Sequence, residues 1–71
     1  SISFYPNPTE GLINVISERK INTINVYAVT GQLIKSAAGE KSIDIKEVTP
    51  GIYIIEVTTD EQRVLGKLIR K

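Results

Sequence analysis

Thr49-Pro50-Gly51-Ile52-Tyr53-Ile54-Ile55-Glu56-Val57-Thr58-Thr59 is a turn followed by the strongest strand signal in the chain. Pro50 fixes φ at the second position of a turn, and Gly51 can take the positive φ that the third position of a type II turn requires. β-Branched and aromatic residues then run without a helix former as far as Glu56. At a period of two, Tyr53, Ile55 and Val57 share one face, while Ile52, Ile54, Glu56 and Thr58 share the other. The first is the core face; the second is partly wet, with Glu56 toward solvent. Such a strand belongs in the middle of a sheet, and the rest of the chain has to pair with it.

Downstream, Thr59-Asp60-Glu61-Gln62 closes a hairpin to the last segment. Val64, Leu65, Leu68 and Ile69 there have helical spacing. The preferred reading is nevertheless a strand with an irregularity near Gly66, because the near-continuous apolar strand before it needs an extended partner. Upstream, Ile43 and Ile45 of Ser42-Ile43-Asp44-Ile45 point to one side, and Val48 tucks under the crossover to Pro50. Leu33 to Ala37 is a weaker strand with Leu33 and Lys35 opposing Ile34 and Ser36. It follows a reversal at Val29-Thr30-Gly31-Gln32, where Gly31 takes positive φ. Ile21 to Ala28 alternates Ile24, Val26 and Ala28 against Asn25 and Tyr27, and Leu12 to Ile16 sets Ile13 and Val15 against Leu12, Asn14 and Ile16.

The first strand, Ile2-Ser3-Phe4-Tyr5, ends at Pro6-Asn7-Pro8-Thr9-Glu10-Gly11. Two prolines separated by one residue make this passage rigid and irregular, with Asn7 suited to cap a turn and Gly11 suited to positive φ. About seven short strands at such spacing indicate an all-β fold, a sandwich of two antiparallel sheets in preference to a small barrel. Without a repeat or a linker, residues 1–71 read as one compact domain.

Composition narrows the function. The 71 residues include no cysteine, histidine, methionine or tryptophan, which removes disulfides, Cys/His zinc sites and thiol or imidazole chemistry. Nine basic and eight acidic side chains give a net charge of +1, unlike a dedicated nucleic-acid binder. No apolar run approaches the roughly 20 residues that span a bilayer as a helix, and no Sec-type leader is present; a chain beginning at Ser1 reads as a processed product or a piece of a longer one. Asp44, Glu56 and Asp60 read as solvated carboxylates, the acidic residues lack calcium-loop spacing, and the glycines are too dispersed to cradle phosphate. No catalytic, metal or cofactor site is indicated. What remains is a noncatalytic β module whose work is recognition or attachment. From Gln62 to Lys71 the charges are Arg63, Lys67, Arg70 and Lys71 with no acid among them, which suits a solvated edge that resists aggregation or, alternatively, a recognition surface.

Four segments, in this order and spacing, carry a family resemblance across essentially the whole chain: Tyr5-Pro6-Asn7-Pro8-Thr9-Glu10-Gly11; Val26-Tyr27-Ala28-Val29-Thr30-Gly31-Gln32-Leu33; Ile43-Asp44-Ile45 with Pro50-Gly51-Ile52-Tyr53-Ile54-Ile55-Glu56-Val57; and Lys67-Leu68-Ile69-Arg70-Lys71. The sequence resembles the type A C-terminal sorting domains of proteins exported by the type IX secretion system of Bacteroidetes. Ala28 departs from the Asp or Asn that the family often places before its turn. The resemblance implies a seven-stranded immunoglobulin-like β-sandwich that acts as an address. A cargo preceding it in the same precursor passes by Sec export to the periplasm and is carried by the type IX translocon across the outer membrane to the cell surface or medium. A surface sortase then removes the domain, which is that enzyme's substrate.

By the same resemblance, Pro6 to Gly11 corresponds to the family's first motif, Gly51-Ile52-Tyr53 to its second and Lys67 to Lys71 to its terminal signal. Tyr5, Pro6, Asn7, Pro8, Gly11, Gly31, Pro50, Gly51 and Tyr53 are assigned to structure, and Lys67, Leu68, Ile69, Arg70 and Lys71 to recognition. The last strand is expected to offer a free basic edge, open to the translocon or to weak pairing with a second copy. The competing readings are a carbohydrate-binding or adhesive module, which needs an exposed aromatic platform, and a structural spacer.

Overall fold

The alternating segments become strands in a computed structural model that describes residues 1–71. There are seven strands: β1 (Ile2–Tyr5), β2 (Leu12–Ser17), β3 (Thr23–Ala28), β4 (Leu33–Ala38), β5 (Ser42–Asp44), β6 (Gly51–Thr58) and β7 (Arg63–Arg70). They form two antiparallel sheets, one in the order β1-β2-β5 and one in the order β4-β3-β6-β7. These are the A-B-E and C′-C-F-G layers of a small immunoglobulin-like sandwich. The segment from Thr49 takes the central place its sequence predicts, with β6 between β3 and β7.

Alternation puts one side of every strand into a shared core. Ile13, Val15 and Ile43 from the smaller sheet meet Ile24, Val26, Tyr53, Ile55, Val57 and Leu68 from the larger, with Ile21 and Ile45 closing the ends. Phe4, Ile34 and Val48 pack against this cluster while remaining partly exposed. At about 25 cal/mol for each Å² of apolar surface removed from water, this burial is the main term holding the two layers together.

The turn before β6 is anchored through its tyrosine. The Tyr53 hydroxyl donates to the Thr49 carbonyl at 2.5 Å, the tyrosine corner of immunoglobulin-like domains. Gly51 has positive φ, but at 156° it lies well beyond the ~80° of a type II turn, because it already pairs with Arg70 as the first residue of β6. Gly31 has φ of 96°. Its reversal closes through Ala28 N–H to Gln32 O at 2.8 Å and Gly31 N–H to Ala28 O at 2.9 Å, with Gln32 N–H also donating to the Thr30 hydroxyl at 3.4 Å, so Ala28 takes part through its backbone and serves without a polar side chain.

Three expectations need correction. β4 carries a register shift against β3 at Val26/Tyr27, so Leu33 sits opposite Tyr27 but Lys35 opposite Val26. Leu33 and Lys35 therefore face opposite sides, and Leu33 shares the outer face with Ser36. β7 runs in unbroken register with β6 and has no irregularity at Gly66. Its glycine answers a packing need instead: a Cβ there would lie 2.7 Å from two ring carbons of Phe4 in the facing sheet. Finally, Glu56 on the outer face of β6 is 7% exposed, not solvated.

Candidate recognition surface

The passage Pro6 to Gly11 folds against the outer edge of β7. Asn7 uses both ends of its amide: Nδ2 donates to Lys67 O at 2.8 Å, and Oδ1 accepts from Ile69 N–H at 2.9 Å. Two residues on, Thr9 N–H donates to Ile69 O at 2.8 Å and Thr9 O accepts from Lys71 N–H at 2.9 Å, a parallel bridge beside Arg70. A side chain thus continues what the backbone does at Thr9, and together they take the place of a short extra strand. Asn7 does more than cap a turn.

The loop is fixed from behind as well. Thr9 is buried, and its hydroxyl donates to Leu12 O at 2.6 Å while accepting from Gly11 N–H at 3.0 Å. Gly11, with φ of 153°, lies where a Cβ would stand 2.7 Å from the Lys46 Cβ, and its carbonyl accepts from Ile45 N–H at 2.9 Å. Only glycine meets both conditions at that crossing.

This clasp changes what the end of the chain presents. From the Lys67 carbonyl to the Lys71 N–H the edge of β7 is not free, because its outward backbone groups there are already bonded to Asn7 and Thr9. Leu68 is fully buried in the core. Arg70 turns inward, with Nη2 donating to Lys46 O at 2.7 Å and Nε to Ile45 O at 3.3 Å. Ile69 is half-buried opposite Ile52, leaving Lys67 and Lys71 as the exposed cations. Tyr5, Pro6 and Pro8 are exposed around the loop, and Pro50 is exposed before β6.

The outer face of the larger sheet holds a polar network that sequence reading missed. Glu56 Oε1 accepts from Asn25 Nδ2 at 2.9 Å and from the Tyr27 hydroxyl at 3.1 Å. Its Oε2 accepts from Arg63 Nε at 2.5 Å. The Asn25 amide and the Arg63 guanidinium hold the Glu56 carboxyl below its ordinary value, overcoming its burial. Burial, and donation to that carboxylate, push the Tyr27 phenol up. The signal lay in register: Asn25 is directly opposite Glu56, with Tyr27 and Arg63 on its diagonals. Around the network, Leu33, Ile52 and Leu65 are exposed.

Aromatics do not gather into a platform. Tyr53 is buried, Phe4 lies over Gly66, Tyr27 is tied to Glu56, and Tyr5 projects from the other sheet. No three acidic side chains come together as a group that could hold a metal ion, and Asp44 accepts from Lys46 N–H at 2.9 Å as a turn cap. No helix is long and apolar enough to cross a membrane.

The fold and the clasped surface define a small immunoglobulin-like β module. The chain matches the family described as secretion system C-terminal sorting domain over residues 3–71 and belongs to it, as a sorting signal of the type IX secretion system. Domains of this family are typically noncatalytic, and such a signal implies export of a cargo precursor through that system to the cell surface or beyond. No curated protein matches the sequence.

Proposed function

We propose that residues 1–71 act as one noncatalytic domain that the type IX translocon recognises as a folded surface, after Sec export has brought the precursor into the periplasm. A surface sortase then cuts ahead of the domain, and the cargo is attached or released. The observation that carries this reading is the clasp. The family's first motif, through Asn7 and Thr9, is bonded to its terminal motif at Lys67, Ile69 and Lys71. Segments 60 or more residues apart in sequence become a single surface, so the address is the folded pair and not a linear tail. Lys67 and Lys71 are its exposed cations and are the residues assigned to contact acidic surface on the translocon. Leu68 and Arg70 serve by holding the strand in place.

The test is delivery of a periplasmically exported reporter carrying this chain at its C-terminus, in a bacterium with type IX secretion. Surface delivery of the fusion, and periplasmic retention of the bare reporter, is the expected result. Retention of a folded fusion would overturn the sorting role for this chain. A version ending at Gly66 is a poor comparison, because it also removes the buried Leu68 and the Arg70 latch.

A further inference from the structure

We propose that the unclasped stretch of the β7 edge, Arg63 to Lys67, accepts an added β-strand from a partner protein. The strand it selects carries acidic, apolar and acidic residues at alternate positions. This deepens the recognition reading above and rests on it.

The backbone gives the first half of the argument. In an antiparallel pair, alternate residues turn both N–H and C=O toward the neighbour or away from it. Ile69 turns both away from β6, toward Asn7 and Thr9, so Lys67, Leu65 and Arg63 do the same. The clasp ends at the Lys67 carbonyl. Beyond it, the N–H of Lys67 and both groups of Leu65 and Arg63 have no partner, since β6 is the only strand beside β7. A short row of unpaired donors and acceptors at a sheet edge is a template for strand addition.

Side chains give the second half. Arg63, Leu65 and Lys67 lie together on the outer face, and all are exposed. One guanidinium nitrogen of Arg63 serves Glu56, while the side chain as a whole remains 63% exposed. Directly opposite residues in a pair of strands attract when their charges differ and repel when they match. An incoming strand is therefore favoured by a carboxylate opposite Lys67, an apolar residue opposite Leu65 and a carboxylate opposite Arg63. The pattern reads the same in both directions, so either strand orientation satisfies it. A second copy of this chain does not. Pairing antiparallel about Leu65 would set Arg63 against the other copy's Lys67 twice.

The experiment is amide NMR on the chain with the peptide acetyl-Thr-Glu-Thr-Val-Thr-Glu-Thr-amide, beside a counterpart in which both Glu residues are Lys. The acidic peptide is expected to shift the amides of Arg63, Leu65 and Lys67 and slow their hydrogen exchange, and the basic one to leave them unchanged. Lys67→Glu should weaken the acidic peptide about tenfold. Leu65→Pro, which deletes an outward N–H and no bond of the β6–β7 ladder, should abolish binding. Equal effects of the two peptides, absence of binding by either at millimolar concentration, perturbation centred on another edge, or concentration-dependent shifts of the same amides in the free chain would each overturn the proposal. Because binding is read without secretion, its failure is distinguishable from failure of the reporter to reach the surface.

Discussion

Asn7 grips the backbone on both sides of Leu68, donating to Lys67 O and accepting from Ile69 N–H. It sits between two prolines in a loop that Thr9 pins from below, so its amide is presented to the strand without further ordering. Asn7→Ala removes both bonds. At about 0.5–1.5 kcal/mol for each net hydrogen bond, the loss is ~1–3 kcal/mol. Denaturant unfolding reads the total. Amide exchange reads the location, with Ile69 speeding up more than Leu68, whose partner strand is untouched.

Gly66 and Phe4 form a second long-range dependence. Gly66→Ala puts a methyl against the Phe4 ring, at 2.7 Å before relaxation, and overpacking of this kind costs about 1–3 kcal/mol. Phe4→Leu should return part of it. The check is a double-mutant cycle by thermal or urea unfolding, in which the paired variant is more stable than the sum of the single effects allows.

Tyr53→Phe tests the corner before β6. Thr49 is exposed, so its carbonyl regains water when the hydroxyl is lost, and the cost is confined to about 1 kcal/mol with the fold retained. Equilibrium unfolding with an unchanged far-UV spectrum is the appropriate readout.

Glu56 gives the domain an acid limit. Its carboxyl titrates below the ordinary 4.5 in the folded state, held there first by Asn25 and then by Arg63. A depressed carboxylate favours the fold above its unfolded value, and that contribution is lost as pH falls through the folded value. Stability should therefore be level above the ordinary carboxylate range and decline below it. Glu56→Gln should flatten this acid limb, measured as unfolding free energy against pH between about 7 and 2.5.

These relationships separate what one strand reveals from what neighbours decide. Tyr53, Ile55 and Val57 were legible as a core face because alternation alone determines it, and Pro50-Gly51 marked the strand's start. Glu56 was not, since its cover comes from Asn25, Tyr27 and Arg63, whose approach depends on register with two other strands. The glycine at position 66 was a visible signal with two meanings, bulge or close approach, and only the facing Phe4 chooses between them. The clasp had no local signature at all. Asn7 resembles any turn-capping residue until β7 is laid beside it. The shift between β3 and β4 likewise left no mark in the alternation of Leu33 to Ala37.

The most direct test of the folded-surface account is delivery of the reporter fusion bearing Lys67→Glu and Lys71→Glu together. Both side chains are exposed, so the variant should unfold with the same midpoint as the parent. The account predicts that the parent fusion reaches the cell surface while the folded double variant stays in the periplasm. Surface delivery of the double variant at the parent's level would contradict it.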